Sequence, residues 1–196
     1  MQFEKATTHI LSRQLLELPD TLGYHSHSHV LDVYKAATEI GEAELISTLE
    51  MQLLLTAVCY HDAGFMVSMS DHETHSCSLA REDLPAFEYS ESDIDAICGM
   101  IMATRVPQQP GNLLEEIICD ADLDYLGRDD FFRIGTTLRD ELMSAGVIRS
   151  EREWNEMQVR FLEAHRYFTP TSIKLRSSGK ERNLEHVRKL LAADNL

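Results

Sequence analysis

Apolar residues recur at intervals of three and four along most of the chain, the spacing of one face of an α-helix. Phe3, Ile10, Leu11, Leu15 and Leu18 predict a helix over about residues 3–18, stopped by Pro19-Asp20 and Gly23. Val30, Val33, Tyr34, Ala37 and Ile40 predict a second from about Ser28 to Glu44. The third, Ser47 to Tyr60, contains LEMQLLLTAVCY and is apolar nearly all round, the mark of a central buried helix. A loop, AGFMVSMS, leads to Asp71, read as the N-cap of a helix through about Asp83 that Leu84-Pro85 ends. Helices over about Ser92–Thr104 and Leu113–Leu126 flank a loop enforced by Pro107, Pro110 and Gly111. Further helices are expected at about Asp129–Ala145, Glu151–His165 and Glu181–Ala193. No alternating strand pattern and no internal repeat emerges, so the expected fold class is all-α.

Length and charge narrow the classes of function. A chain of 196 residues can bury a substantial core, and no linker-like stretch divides it, so residues 1–196 are expected to form a single domain. The formal net charge is −15, whereas binding a nucleic-acid backbone calls for clustered Lys and Arg; no nucleic-acid partner is expected. A small anionic substrate stays open, because divalent ions invert the potential inside a cleft. Cys59, Cys77, Cys98 and Cys119 lack CxxC spacing and read as buried, reduced thiols. The N-terminal stretch is broken by charge, unlike a signal peptide, and no apolar run reaches membrane-spanning length. A cytoplasmic protein without membrane contact is expected.

Within this helical frame lies a set of metal-type donors. His29 falls in YHSHSHVLDV, His61-Asp62 at the end of the third helix in YHDAGF, and Asp122 in CDADLDYLG. Six of the nine histidines fall between His25 and His75. Asp122 shares a helix face with Leu114, Ile118, Tyr125 and Leu126, so its carboxylate points to the apolar side and needs a partner to survive burial. Two imidazoles and two carboxylates suit a first-row divalent ion that keeps positions for water.

These segments resemble the HD superfamily of metal-dependent phosphohydrolases, and within it the cyclic-nucleotide-phosphodiesterase-like branch. Residues Tyr24–Val33 match that branch's YHN-x-x-H-A-x-D-V segment except at Ser26 and Val30. MIMATRVP at Met100–Pro107 resembles its I-x-A-T stretch, and Ala121-Asp122-Leu123 its A-D-L aspartate. The similarity runs from about residue 24 to 127, and less clearly to Pro170. It implies an HD-domain helical bundle in which His29, His61, Asp62 and Asp122 bind a metal, and Asp62 bridges to a second. One or two divalent ions are implied, drawn from Zn, Mn, Fe, Co, Ni and Mg. It also implies that His25 is the general acid, one helical turn from His29. His72, in His72-Glu73, resembles a further His-Glu that serves a second metal or the phosphate.

Other residues are candidates for supporting roles. Gln158, in QVRFL, is a faint echo of the base-clamping glutamine of those phosphodiesterases, although an exposed helix position is its ordinary reading. Asp120 and Asp124 face away from Asp122, and Asp32 could orient a ligand histidine. Arg105, Arg128, Lys174, Arg176 and Lys180 are candidates to hold a phosphate.

The expected function is hydrolysis of a nucleotide or other small phosphoester, as phosphodiesterase or phosphomonoesterase, by a metal-activated water. The His61-Asp62-Ala-Gly-Phe stretch lacks the extra histidine of animal phosphodiesterases, which leaves the substrate open. The chain is shorter than those catalytic domains, which implies a shallower pocket or one completed by another subunit in a homodimer. Two rivals remain at this point: a non-catalytic HD-fold nucleotide sensor or scaffold, and an HD-type diiron oxygenase, for which His72 and His75 are the obvious extra donors.

Overall fold

The computed structural model describes residues 1–193, and among them there are helices and turns but no strand. The α-helices are α1 (Phe3–Glu17), α2 (His27–Ala43), α3 (Thr48–Tyr60), α4 (His72–Asp83), α5 (Glu91–Ala103), α6 (Leu113–Asp122), α7 (Phe131–Ser144), α8 (Glu151–Ala164) and α9 (Pro170–Ala193). The all-α expectation holds.

Helix α3 is the axle. Every side chain from Leu53 to Tyr60 is buried, and α1, α2, α4, α5 and α6 all pack on it. A capping box starts it: Ser47 Oγ accepts from the Glu50 amide at 3.2 Å while the Ser47 amide donates to Glu50 Oε2 at 2.8 Å. One apolar cluster, including Ile10, Val33, Leu54, Ile97 and Ile118, joins α1 to α6. A second, including Tyr24, Leu126, Phe131, Leu162 and Val187, ties α7, α8 and α9 to the turn after α6.

Two close approaches set the chain path near the end of α3. Residues Ala63–Met66, expected as loop, form a 3-10 turn instead. A Cβ on Gly64 would lie 1.9 Å from the His72 carbonyl oxygen, so only glycine lets α4 start there. The Gly64 amide donates to Ser76 Oγ at 2.8 Å, and Ser76 Oγ donates to the His61 carbonyl at 2.7 Å, which locks α4 onto the His61-Asp62 corner. A second glycine contact, Gly179 against Gly127, lets α9 cross the 3-10 turn Asp124–Gly127.

Several boundaries differ from the sequence expectation. Asp71 does not cap α4 with its side chain: it has φ +53° and its carboxylate instead accepts from Arg105 at 3.3 Å. The helix expected through Leu126 ends at Asp122 and continues only as the 3-10 turn. The last helix begins at Pro170, well before Glu181. Thr169 Oγ1 accepts the Ser172 amide at 3.1 Å and Pro170 occupies the first helical position, a capped start whose apolar stripe is too sparse to read as periodicity.

Candidate metal centre and adjoining cavity

Four side chains from three helices converge. His29 comes from the first turn of α2, His61 and Asp62 from the C-terminal end of α3, and Asp122 from the last residue of α6. His29 Nε2 lies 3.1 Å from Asp122 Oδ1 and 3.5 Å from Asp62 Oδ2. His61 Nε2 lies 3.2 Å from Asp62 Oδ2 and 3.6 Å from Asp122 Oδ1. Ligand atoms about 2.1 Å from a first-row ion stand about 3.0–3.4 Å apart, so these separations fit one.

Hydrogen bonding points the same way. His61 Nδ1 donates to the Val58 carbonyl at 2.7 Å, which turns Nε2 toward the cluster. Both His61 Nε2 and Asp62 Oδ2 are buried without a hydrogen-bond partner. Such orphaned atoms are costly unless a cation satisfies them. Without one, burial pulls His61 down, but the carboxylates of Asp62 and Asp122 outweigh it and hold the imidazole well above its ordinary value. Asp122 is correspondingly held down to about 2: its burial is overcome by the hydrogen bond from His29 and the adjacent His61 imidazole. The cluster thus draws positive charge.

Asp62 also faces a second group. Its Oδ1 lies 3.5 Å from His72 Nε2, which is itself 3.6 Å from Glu73 Oε1. The carboxylate therefore turns one oxygen to the His29–His61 pair and the other to His72. His75 lies outside the His29–His61–Asp122 cluster.

His25 reaches the site by a different route from the one expected. It precedes α2, and Ser26 between them is extended, so the helical i,i+4 relation to His29 does not form. Its ring instead stacks on Phe65 at 4.2 Å and stands 6.3 Å from the His29 ring, centroid to centroid. Its Nδ1 meets Glu141 Oε1 of α7, while Glu141 Oε2 accepts the Tyr24 amide at 2.9 Å and the His25 amide at 3.2 Å. Burial lowers the His25 pKa, yet the bond to Glu141 and the carboxylates of Asp62 and Asp122 raise it further, so it ends above its ordinary value. Sequence reasoning missed Glu141. The available signal was an acid on the apolar stripe of its helix, at helical spacing from Ile134 and Leu138.

A cavity of about 370 Å³ opens over His25, Asp62, His72 and Asp122. Gln158 lines it and is buried, not the surface residue its ordinary reading suggested; its Nε2 donates to Asn155 Oδ1 at 3.2 Å. The other supporting candidates are engaged elsewhere. Asp32 pairs with Arg128 at 2.9 Å and is not seen to orient a ligand histidine. Asp120 is buried and accepts from the Phe168 and Thr169 amides, and Asp124 is buried and accepts from Arg176 Nε at 2.7 Å. Arg105 is bound by Asp71, Glu73 and Thr74, Arg128 also by Asp130, and Lys180 by the His165 carbonyl. Lys174 is exposed and lines none of the described cavities.

The chain shares its fold with solved structures that include a predicted HD superfamily hydrolase, and its His29, His61 and Asp122 could hold a metal ion, with Asp62 beside the two histidines. A predicted HD superfamily hydrolase from an uncultured Thermotogales bacterium superposes with TM-score 0.63 and 21% identity, covering 97% of this chain and 91% of its own. A protein from Lactobacillus plantarum gives TM-score 0.73 at 16% identity, covering 100% and 99%. Bacillus subtilis YpgQ, solved in complex with ADP, gives TM-score 0.66 at 19% identity, covering 97% and 95%. No family model and no curated protein matches the chain in sequence. Among the described residues no helix is long and apolar enough to cross a membrane.

Proposed function

We propose that this chain is a metal-dependent phosphohydrolase of small phosphoesters, with His29, His61, Asp62 and Asp122 holding the ion. The observation that carries the reading is the buried, unpartnered pair His61 Nε2 and Asp62 Oδ2 on the floor beneath the cavity. A divalent ion held there would supply Lewis acidity toward a phosphoryl oxygen and would bring the pKa of a bound water near neutrality.

The chain's own residues divide the remaining work. Glu141 fixes the His25 ring through Nδ1, leaving Nε2 for the cavity that His25 lines. The bond to Glu141 and the nearby carboxylates raise the His25 pKa despite its burial, which favours the protonated form that can give its proton to the departing oxygen as the ester P–O bond breaks. His72, beside Asp62 Oδ1 and Glu73, is positioned for a second ion or for a phosphoryl oxygen. Stacking on Phe65 limits the tilt of both the His25 and His72 rings.

The phosphodiesterase-like assignment finds support in the Tyr24–Val33 segment, since Tyr24, His25 and His29 all reach the site. Metal analysis of the purified protein, joined to a screen for hydrolysis of phosphomonoesters and phosphodiesters, tests the proposal. Cyclic substrates need a coupled phosphatase to release phosphate. Bound metal with turnover lost in His61→Ala is the expected result. Absence of metal overturns it, and metal with tight ligand binding but no product shifts the function to a sensor. Dioxygen-dependent turnover indicates the oxygenase, a reading that His75, outside the cluster, does not favour.

A further inference from the structure

The walls of the cavity differ from its floor. Tyr24, Tyr125, Phe131, Trp154 and Phe161 contribute five rings, and leucines from the turn after α6 and from α7 and α8 fill between them. Among the described residues no lysine or arginine lines it. The carboxylates and imidazoles are the floor and rim groups His25, Asp62, His72, Glu73 and Asp122, and Arg105, between the lining residues Thr104 and Val106, is held by Asp71, Glu73 and Thr74. A polyphosphate tail needs cationic or amide donors for each phosphate beyond the one at the metal. This wall offers a tail hydrocarbon instead, and leaving phosphate oxygens against it forfeits their hydration.

We propose that the substrate is a phosphoester with one phosphoryl group and an uncharged, ring-bearing organic group, and that nucleoside di- and triphosphates are rejected. The proposal rests on the phosphohydrolase reading and names its substrate class. The phosphoryl group sits over the metal centre and the ring against the aromatic wall. The Gln158 amide keeps a carbonyl oxygen and one N–H beyond its bond to Asn155, enough for one polar substituent. About 370 Å³ lies at the small end of ligand pockets, about 300–1,000 Å³, which suits one or two rings. In the reaction water adds to phosphorus, the ester P–O bond breaks, and the alcohol leaves with the His25 proton. The proton lost by water passes to solvent, and His25 is reprotonated from it.

Benzyl phosphate and glycerol 2-phosphate have alkyl leaving groups of similar reactivity, so comparing them with ATP isolates the organic part. With the manganese-loaded full chain, kcat/KM for benzyl phosphate should exceed that for the other two by about 100-fold. Trp154 is the only tryptophan, so its emission reports occupancy of this wall directly. Benzylphosphonate should quench or shift it, and neither inorganic phosphate nor ATP should. Leu138→Lys, which puts a cation on the wall, should narrow the preference over ATP at least 10-fold, with a melting curve confirming the fold. Equal turnover of glycerol 2-phosphate or ATP overturns this proposal while leaving the phosphohydrolase standing. Hydrolysis of no ester overturns the phosphohydrolase; Trp154 then decides the ligand class alone, selective response to benzylphosphonate upholding it and equal response to ATP overturning it.

Discussion

Glu141 holds His25 from a helix 116 positions further along the chain, one carboxylate oxygen on the imidazole and the other on the amides of Tyr24 and His25. The carboxylate thus fixes both the ring and the backbone that carries it. Burial alone would raise the Glu141 pKa, but the His25 bond and the two amides hold it below the ordinary range. Both partners thus favour its ionised form.

Glu141→Gln should therefore shift activity along the pH axis as well as reduce it. Removing the negative charge lowers the His25 pKa, so the protonated form, and with it the high-pH limb of the kcat profile, retreats to lower pH. The expected loss at neutral pH is about 10–100-fold, typical for a group that orients a functional histidine. A full pH–rate profile of both proteins checks this, and an unmoved limb would show that Glu141 serves packing only.

Gly64→Ala should damage both fold and site, because the new methyl would sit 1.9 Å from the His72 carbonyl. Overpacking of this kind costs about 3 kcal/mol. Urea unfolding should show the loss, and metal content should fall with it, since the displaced backbone carries the Ser76 link to His61.

Asp120→Ala should loosen the start of α9. The buried carboxylate accepts from the amides of Phe168 and Thr169 and from Thr169 Oγ1, at 2.7–2.9 Å. Stranding three donors, the two of Thr169 buried, costs about 3 kcal/mol. Hydrogen exchange should rise first at residues 168–173, ahead of α3.

Acid should weaken the Arg128 network by a predictable route. The paired Arg128 guanidinium, at 2.9 Å on both oxygens, holds Asp130 down to about 2. A depressed carboxylate contributes stability that is complete above its unfolded value near 4 and lost as pH falls toward 2. Asp130→Ala should remove on the order of 1 kcal/mol at pH 7, after allowance for solvent screening, and flatten the stability curve between pH 4 and 2. Denaturant titrations at several pH values measure both effects.

Much of this protein was settled by local pattern. The periodicity of α1 to α8 places helices within a few residues of where they form, because an amphipathic stripe needs only its own neighbours in sequence to be visible. The donors His29, His61, Asp62 and Asp122 were legible as metal-type residues, and they do converge. Tertiary structure decided what depends on pairs distant in the chain. Glu141 takes its place because α7 crosses above the His25 corner, and Gln158 is buried because α8 closes the cavity. Asp32 meets Arg128 and not a histidine, and the α9 start depends on Asp120 some 50 positions away. Hydrogen bonds and charge pairs of this kind have no period and no local composition, so only the packed chain reveals which partner each polar group takes.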